Sequence, residues 1–221
     1  MKIFAEIQDK TQLSDYLKKN ATVVVDVTFD SPIQNADVYL NLPHFCRGND
    51  IKIIENAVKM HKNLSGIIAN SIYGVAVAKK FGLPLVLGLG MNVYNYEQVL
   101  ALGASEYIYS SEISEKDILD IQKVANGKGI VFSYGHLRML TTPAKIAKRQ
   151  GYILKEEKLA HQYYAIFNKI PHVLGQNVQK VSNKLYFNML GLNKDEIIFR
   201  LKNPFFEPKE FTRGRFGKGV L

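Results

Sequence analysis

Cysteine is nearly absent: Cys46 is the only one in 221 residues. This excludes an internal disulfide framework and any four-thiolate zinc or iron–sulfur site built by the chain alone. Long apolar runs are missing as well. None approaches the roughly 20 residues of a membrane span, and the opening MKIFAEIQDK has no apolar signal-peptide core. A reduced, cytoplasmic location is expected. No Walker-type loop occurs, and Gly88-Leu89-Gly90 runs into Met91-Asn92-Val93 without the third glycine of a dinucleotide-binding turn. There is no Gly-x-Ser-x-Gly elbow. His61, His161 and His172 lack metal-ligand spacing, so neither a metal nor another cofactor is expected.

Acidic residues run short in one stretch only. Residues 1–140 hold 14 basic and 14 acidic side chains, whereas residues 141–221 hold 15 and 6, so the last stretch carries the whole net charge of +9. A balanced scaffold joined to a basic contact surface fits that division. Hydrophobic residues make up 47% of the chain, enough for a core and too many for disorder.

The first 140 residues alternate between strand-like and helix-like runs. Apolar or β-branched segments begin near Ile3, Thr22, Val38, Ile67, Leu85, Tyr107 and Ile130. Between them, 50–62 and 114–125 repeat apolar residues at helical spacing. Ser114 and Asp117 form a weaker relative of the capping box, and Gly82, Gly103 and Gly127 stand where left-handed C-caps are wanted. Strands alternating with helices imply an α/β fold with a parallel sheet. Seven strands, apolar on both faces, approach a (β/α) barrel, although an open doubly wound sheet shares the pattern. The expected layout is a TIM-barrel-like domain over 1–140, incomplete at seven strands, and a small basic α+β appendage over 141–221. In the appendage, 144–150 reads as a short helix, and 152–154, 163–167 and 196–201 read as strands.

A barrel places its site where the strands end. The polar side chains there are Asn41, His44, Asn70, Asn92, Asn95, Ser110, Ser111, Glu112, Tyr134, His136 and Arg138. Glu112 can act as a general base or pair with Arg138, and His136 can shuttle a proton near neutrality, so these two are the catalytic candidates. Asn70, Asn92, Asn95, Tyr134 and Arg138 are candidates for binding substrate. Cys46, two residues from His44, is a weaker nucleophile candidate, and a free loop cysteine is the commoner case. Lys145, Lys148, Arg149, Arg213 and Arg215 are candidates for polyanion contact, with Lys180, Lys184 and Lys218 nearby. Interleaved with them, Tyr163, Tyr164, Tyr186, Phe187, Phe205, Phe206, Phe211 and Phe216 suggest bases stacking on aromatics, as in single-stranded RNA binding.

Several motifs in order resemble the collagenase-like peptidases, peptidase family U, number thirty-two. These are Asn92-Val93-Tyr94-Asn95, Ser110-Ser111-Glu112, Tyr134-Gly135-His136-Leu137-Arg138-Met139-Leu140, and Phe211-Thr212-Arg213-Gly214-Arg215 with Gly219-Val220. VYLNLP and GIIAN resemble the preceding units, so the likeness runs from about residue 38 to the end, where long members carry their second part. The resemblance implies a barrel and a peptidase, or kinship with members that hydroxylate RNA or assist quinone hydroxylation through an iron–sulfur cluster. Two departures stand out: Thr142-Pro143-Ala144 replaces a His-Cys-Pro, and the family's other cysteines are missing. The chain is therefore expected to be a degenerate paralogue or one half of a pair, with a partner subunit of the same family supplying the ligands. A peptide or RNA is the expected substrate, and no membrane is involved.

Overall fold

The computed structural model describes residues 1–147 and 150–216. Eight parallel strands close into a barrel. They are β1 (Lys2–Glu6), β2 (Thr22–Asp26), β3 (Val38–Asn41), β4 (Leu64–Ala69), β5 (Leu85–Leu87), β6 (Glu106–Ile108), β7 (Gly129–Gly135) and, after an insertion, β12 (Lys184–Asn188). β12 lies between β7 and β1, and β6 pairs with β7, so the ring has no open edge. Helices α1 (Asp15–Asn20), α2 (Asp50–Met60), α3 (Ile72–Phe81), α4 (Tyr96–Leu102), α5 (Glu115–Ala125) and α6 (Lys194–Lys202) connect or follow the strands. This is an α/β fold of TIM-barrel type.

Local chemistry explains the helix ends. At α5 the Ser114 and Asp117 side chains each reach the other's backbone N–H, completing the capping box, and Gly82 and Gly103 adopt the left-handed C-cap. The strands are apolar on both sides because each faces two cores. Phe4, Val24, Tyr39, Ile68, Val86, Ile108, Ile130, Phe132 and Tyr186 fill the barrel, while Val23, Leu40, Ile67, Tyr107 and Phe187 belong to the layer under the helices. Each such buried side chain stabilises the fold by roughly 1.5–3 kcal/mol.

The last third differs from the sequence expectation in three ways. The barrel does not end at residue 140, because β12 supplies its eighth strand. The segment 196–201 is helical. Its β-branched Ile-Ile pair suggests a strand, but Asn193 and Glu196 form a capping box that starts α6. Of the expected helix over 144–150, residues 144–147 have no helical structure, and Lys148 and Arg149 lie outside the described residues.

Between β7 and β12 the chain inserts β8 (Arg138–Thr142), β9 (Tyr152–Lys158), β10 (Gln162–Asn168) and β11 (His172–Val173). β8, β10 and β9 form a separate antiparallel sheet, and β11 pairs antiparallel with β7. The three-stranded sheet lies over the C-terminal mouth of the barrel.

Candidate functional site at the barrel mouth

Inward-facing residues alternate along each strand, so the position two beyond an interior apolar residue faces the barrel axis one layer higher. In this chain that step gives Phe4 then Glu6, Val24 then Asp26, Tyr39 then Asn41, Ile68 then Asn70, and Tyr186 then Asn188. An apolar layer is thus topped by a polar one.

The polar layer is hydrogen-bonded around the ring. Asn188 Nδ2 donates to Glu6 Oε2 at 2.6 Å and Asn41 Nδ2 to Glu6 Oε1 at 2.9 Å. Asn70 Nδ2 donates to Asn41 Oδ1 and to the Leu42 carbonyl, both at 2.7 Å. Asn70 Oδ1 accepts from Gly90 N at 3.1 Å. That contact depends on the missing side chains of Gly88 and Gly90. A Cβ at Gly88 would lie 2.3 Å from Asn70 Oδ1, and one at Gly90 would lie 2.7 Å from His44 Nδ1.

The inserted sheet covers this layer with charge. Arg138 forms a bidentate pair with Glu157 at 2.6 and 2.9 Å, and also donates to Thr141 Oγ1. Lys155 donates to Asp26 at 2.9 Å and to Gln8. Burial opposes the charge on Arg138 and Lys155, but the facing carboxylates outweigh it and raise both pKa values. Burial also pushes Asp26 up, and Lys155 and Thr28 more than reverse it, leaving its pKa lowered. Two histidines complete the mouth. Burial, reinforced by Arg138, pushes His44 down to about 3, so it is neutral. Burial lowers His136 too, against the opposing effect of the Asn168 carbonyl. His136 Nδ1 lies 2.9 Å from that carbonyl, which only accepts, so Nδ1 carries the proton and Nε2 is the basic nitrogen.

The enclosed space is small. One cavity of about 30 Å³ is lined by Glu6, Asn70, His44, His136, Arg138 and Asn188 among others, and a second of similar size shares Glu6, His44 and Arg138. Such a volume holds about one water molecule. The sheet is also tied down beside the mouth. The fully buried Asp50 carboxylate accepts from Tyr163 Oη, from Arg47 N, and from His161 N at 3.1 Å, and it faces His161 Nδ1 at 3.2 Å.

Of the residues expected from sequence, the structure brings Asn41, His44, Asn70, His136 and Arg138 together. The others fall elsewhere. Tyr134 is turned outward by a bulge, since Tyr186 pairs with Phe132 but the next residue, Phe187, pairs with Tyr134. Its ring packs edge-on against Phe187 and carries Arg200 at 3.8 Å. Asn92 is an exposed left-handed residue, and Asn95 caps α4 by accepting from Gln98 N. Glu112 is exposed. It meets Tyr94 Oη at 3.4 Å rather than Arg138, which is already paired with Glu157. Cys46 sits beside Tyr73, and burial pushes its thiol up, the opposite of an activated nucleophile.

Among the basic candidates, Lys145 and Arg215 are exposed, Arg213 pairs with Glu207, and Lys184 pairs with Glu106 at 2.6 Å. Lys148, Arg149 and Lys218 lie outside the described residues. The stacking platform expected with them is mostly core: Tyr163, Tyr164, Tyr186, Phe187 and Phe216 are buried, and only Phe206 is exposed.

Glu6, Asp26, Asn188, Lys155 and Glu157 escaped the sequence reading. For the first two the signal was present, a carboxylate closing an apolar strand. Asn188 was hidden with its strand, and Lys155 and Glu157 looked like ordinary exposed charges.

A closed eight-stranded barrel with a polar mouth under an inserted sheet defines an α/β-barrel protein of TIM-barrel type. Among family models, curated proteins and solved structures, none matches this chain. The described residues contain no group of three His, Cys, Asp or Glu suited to a metal, and Cys46 stands alone. The donor set therefore does not fit an iron–sulfur cluster. No helix among them is long and apolar enough to cross a membrane.

Proposed function

We propose that the chain is a divergent member of the collagenase-like peptidase family that does not cleave peptides by itself and serves as a binding subunit alongside a partner. Two of its motif segments, 92–95 and 110–112, meet in space, and the 211–215 stretch returns to the same barrel end, which supports the family reading. Val93 bridges to Tyr109 and accepts from Ser110 N at 3.3 Å, Thr212 bridges to His172, and the Phe216 carbonyl accepts from Glu115 N at 2.8 Å.

The observation that carries the non-cleaving half is the occupied mouth. Its two cations are already paired with carboxylates under the inserted sheet. Among the described residues no serine, threonine or cysteine is hydrogen-bonded to a histidine. The Thr28 hydroxyl donates to Asp26, but that carboxylate is ion-paired with Lys155 and its pKa is lowered, so it is a poor base. An RNA role would rest on phosphate contacts alone, because most of the aromatics that would stack bases are buried.

The expected outcome with gelatin and a peptide library is no turnover above background, unchanged by His136→Ala. Turnover that disappears in His136→Ala would overturn the proposal. Filter binding of transfer RNA across a salt series tests the RNA alternative, which requires an affinity that falls steeply with salt.

A further inference from the structure

The inserted sheet has a second face. Lys155 and Glu157 face the barrel, so the alternate residues of β9 face away from it: Tyr152, Leu154, Glu156 and Lys158. Across the sheet, Leu154 pairs with Ile166, which pairs with Leu140, extending an apolar row over three strands. Met139 is 61% exposed, Tyr152 51% and Leu140 50%. Together with Ile146 from the connection between β8 and β9, these side chains line a cavity of about 780 Å³. That lies within the roughly 300–1,000 Å³ range of small-molecule sites. The Tyr152 hydroxyl is the one polar side-chain group among its described lining residues.

The rim is basic. Exposed Lys145 directly precedes Ile146, and exposed Lys169 follows Asn168, the partner of Tyr152. Lys158 lies further along β9, and Glu156 is the one acid on that outward row. A second copy of this chain would set lysines against lysines. A peptide crossing the sheet face would set backbone N–H and C=O groups against apolar side chains that offer them no hydrogen bond, which costs free energy for each group that loses its water. An aliphatic chain has no such groups, and an anionic end suits the lysines.

We propose that this cavity binds a long-chain aliphatic anion of fatty-acid type, its chain along Leu140, Leu154 and Ile166 and its carboxylate at Lys145. The inference is independent of the peptidase-family reading.

The test is calorimetric titration of the full chain with palmitate below its micellar concentration, alongside hexadecanol and anionic phospholipid vesicles. Saturable palmitate binding is expected. It should weaken at least tenfold in Leu154→Asp, with the thermal unfolding transition retained as the control for folding. Lys145→Glu, a surface change that leaves the cavity intact, should weaken palmitate several-fold and leave hexadecanol unchanged. Absence of palmitate binding by the folded chain would overturn the proposal. So would binding indifferent to Leu154→Asp and Lys145→Glu, or binding seen with vesicles alone.

Discussion

The two faces of the inserted sheet depart from the usual order, each in one respect. The face turned toward the barrel carries Arg138, Lys155 and Glu157, and the face turned toward solvent carries Leu140, Tyr152, Leu154 and Ile166. Buried Tyr163, Ala165 and Phe167 share the inner face as expected, but burial normally keeps such charges out of it and apolar side chains off the solvent face. The inner charges are tolerated because each has a counter-charge within reach, Glu157 for Arg138 and Asp26 for Lys155. Buried pairs of this kind add little net stability, yet breaking one is costly, since it leaves a desolvated charge alone. The inner face fixes where the sheet sits, while the outer one contributes little to holding the fold together.

The largest expected effect comes from breaking the inner face. Glu157→Ala strands Arg138 and should lower stability by about 3–5 kcal/mol in urea unfolding, whereas the double replacement Arg138→Met with Glu157→Leu should recover most of the loss. Asp26→Asn removes the closest counter-charge of Lys155 but leaves Glu157 at 3.9 Å, so about 1.5–3 kcal/mol is expected.

Acid should act on the same face. His44 has a folded pKa near 3, below its ordinary value of about 6.5, so the unfolded chain binds more protons between those limits. Stability conferred by neutral His44 is complete above about 6.5 and is lost as pH falls toward 3. The lowered Asp26 acts in the same direction below about 4. Thermal unfolding from pH 7 to 4 should show a steady decline, shallower in His44→Gln. On the outer face, Leu154→Ser should change stability by no more than about 0.5 kcal/mol, and a larger loss would mean that this face is covered in the native protein.

Much of the barrel was legible because parallel strands buried on both faces leave unbroken apolar runs. Seven of the eight strands are visible that way from Ile3 to Ile130. The eighth, Lys184–Asn188, is short, opens on a lysine and follows a long insertion, so its Tyr186 and Phe187 looked like loose aromatics. The mouth was legible in part. Asn41, His44, Asn70, His136 and Arg138 stand at or just beyond strand ends, where position alone marks them. Tyr134 stands there too, but a one-residue bulge reverses its direction, and nothing in the local composition announces it. Lys155 and Glu157 were illegible for another reason: their meaning comes from Asp26 and Arg138, which only the tertiary fold brings opposite them.

The closing pair of the barrel also dictates the order in which the molecule can be assembled. Glu6 receives its bond from Asn188, a separation of 182 residues, and β1 has no neighbour on that side until β12 arrives. During synthesis the earlier strands must therefore wait with an open edge, exposed to pairing with other chains, until Lys184–Asn188 has been made. Contacts so remote also slow folding. The barrel seals late, and its polar mouth takes form in the same event.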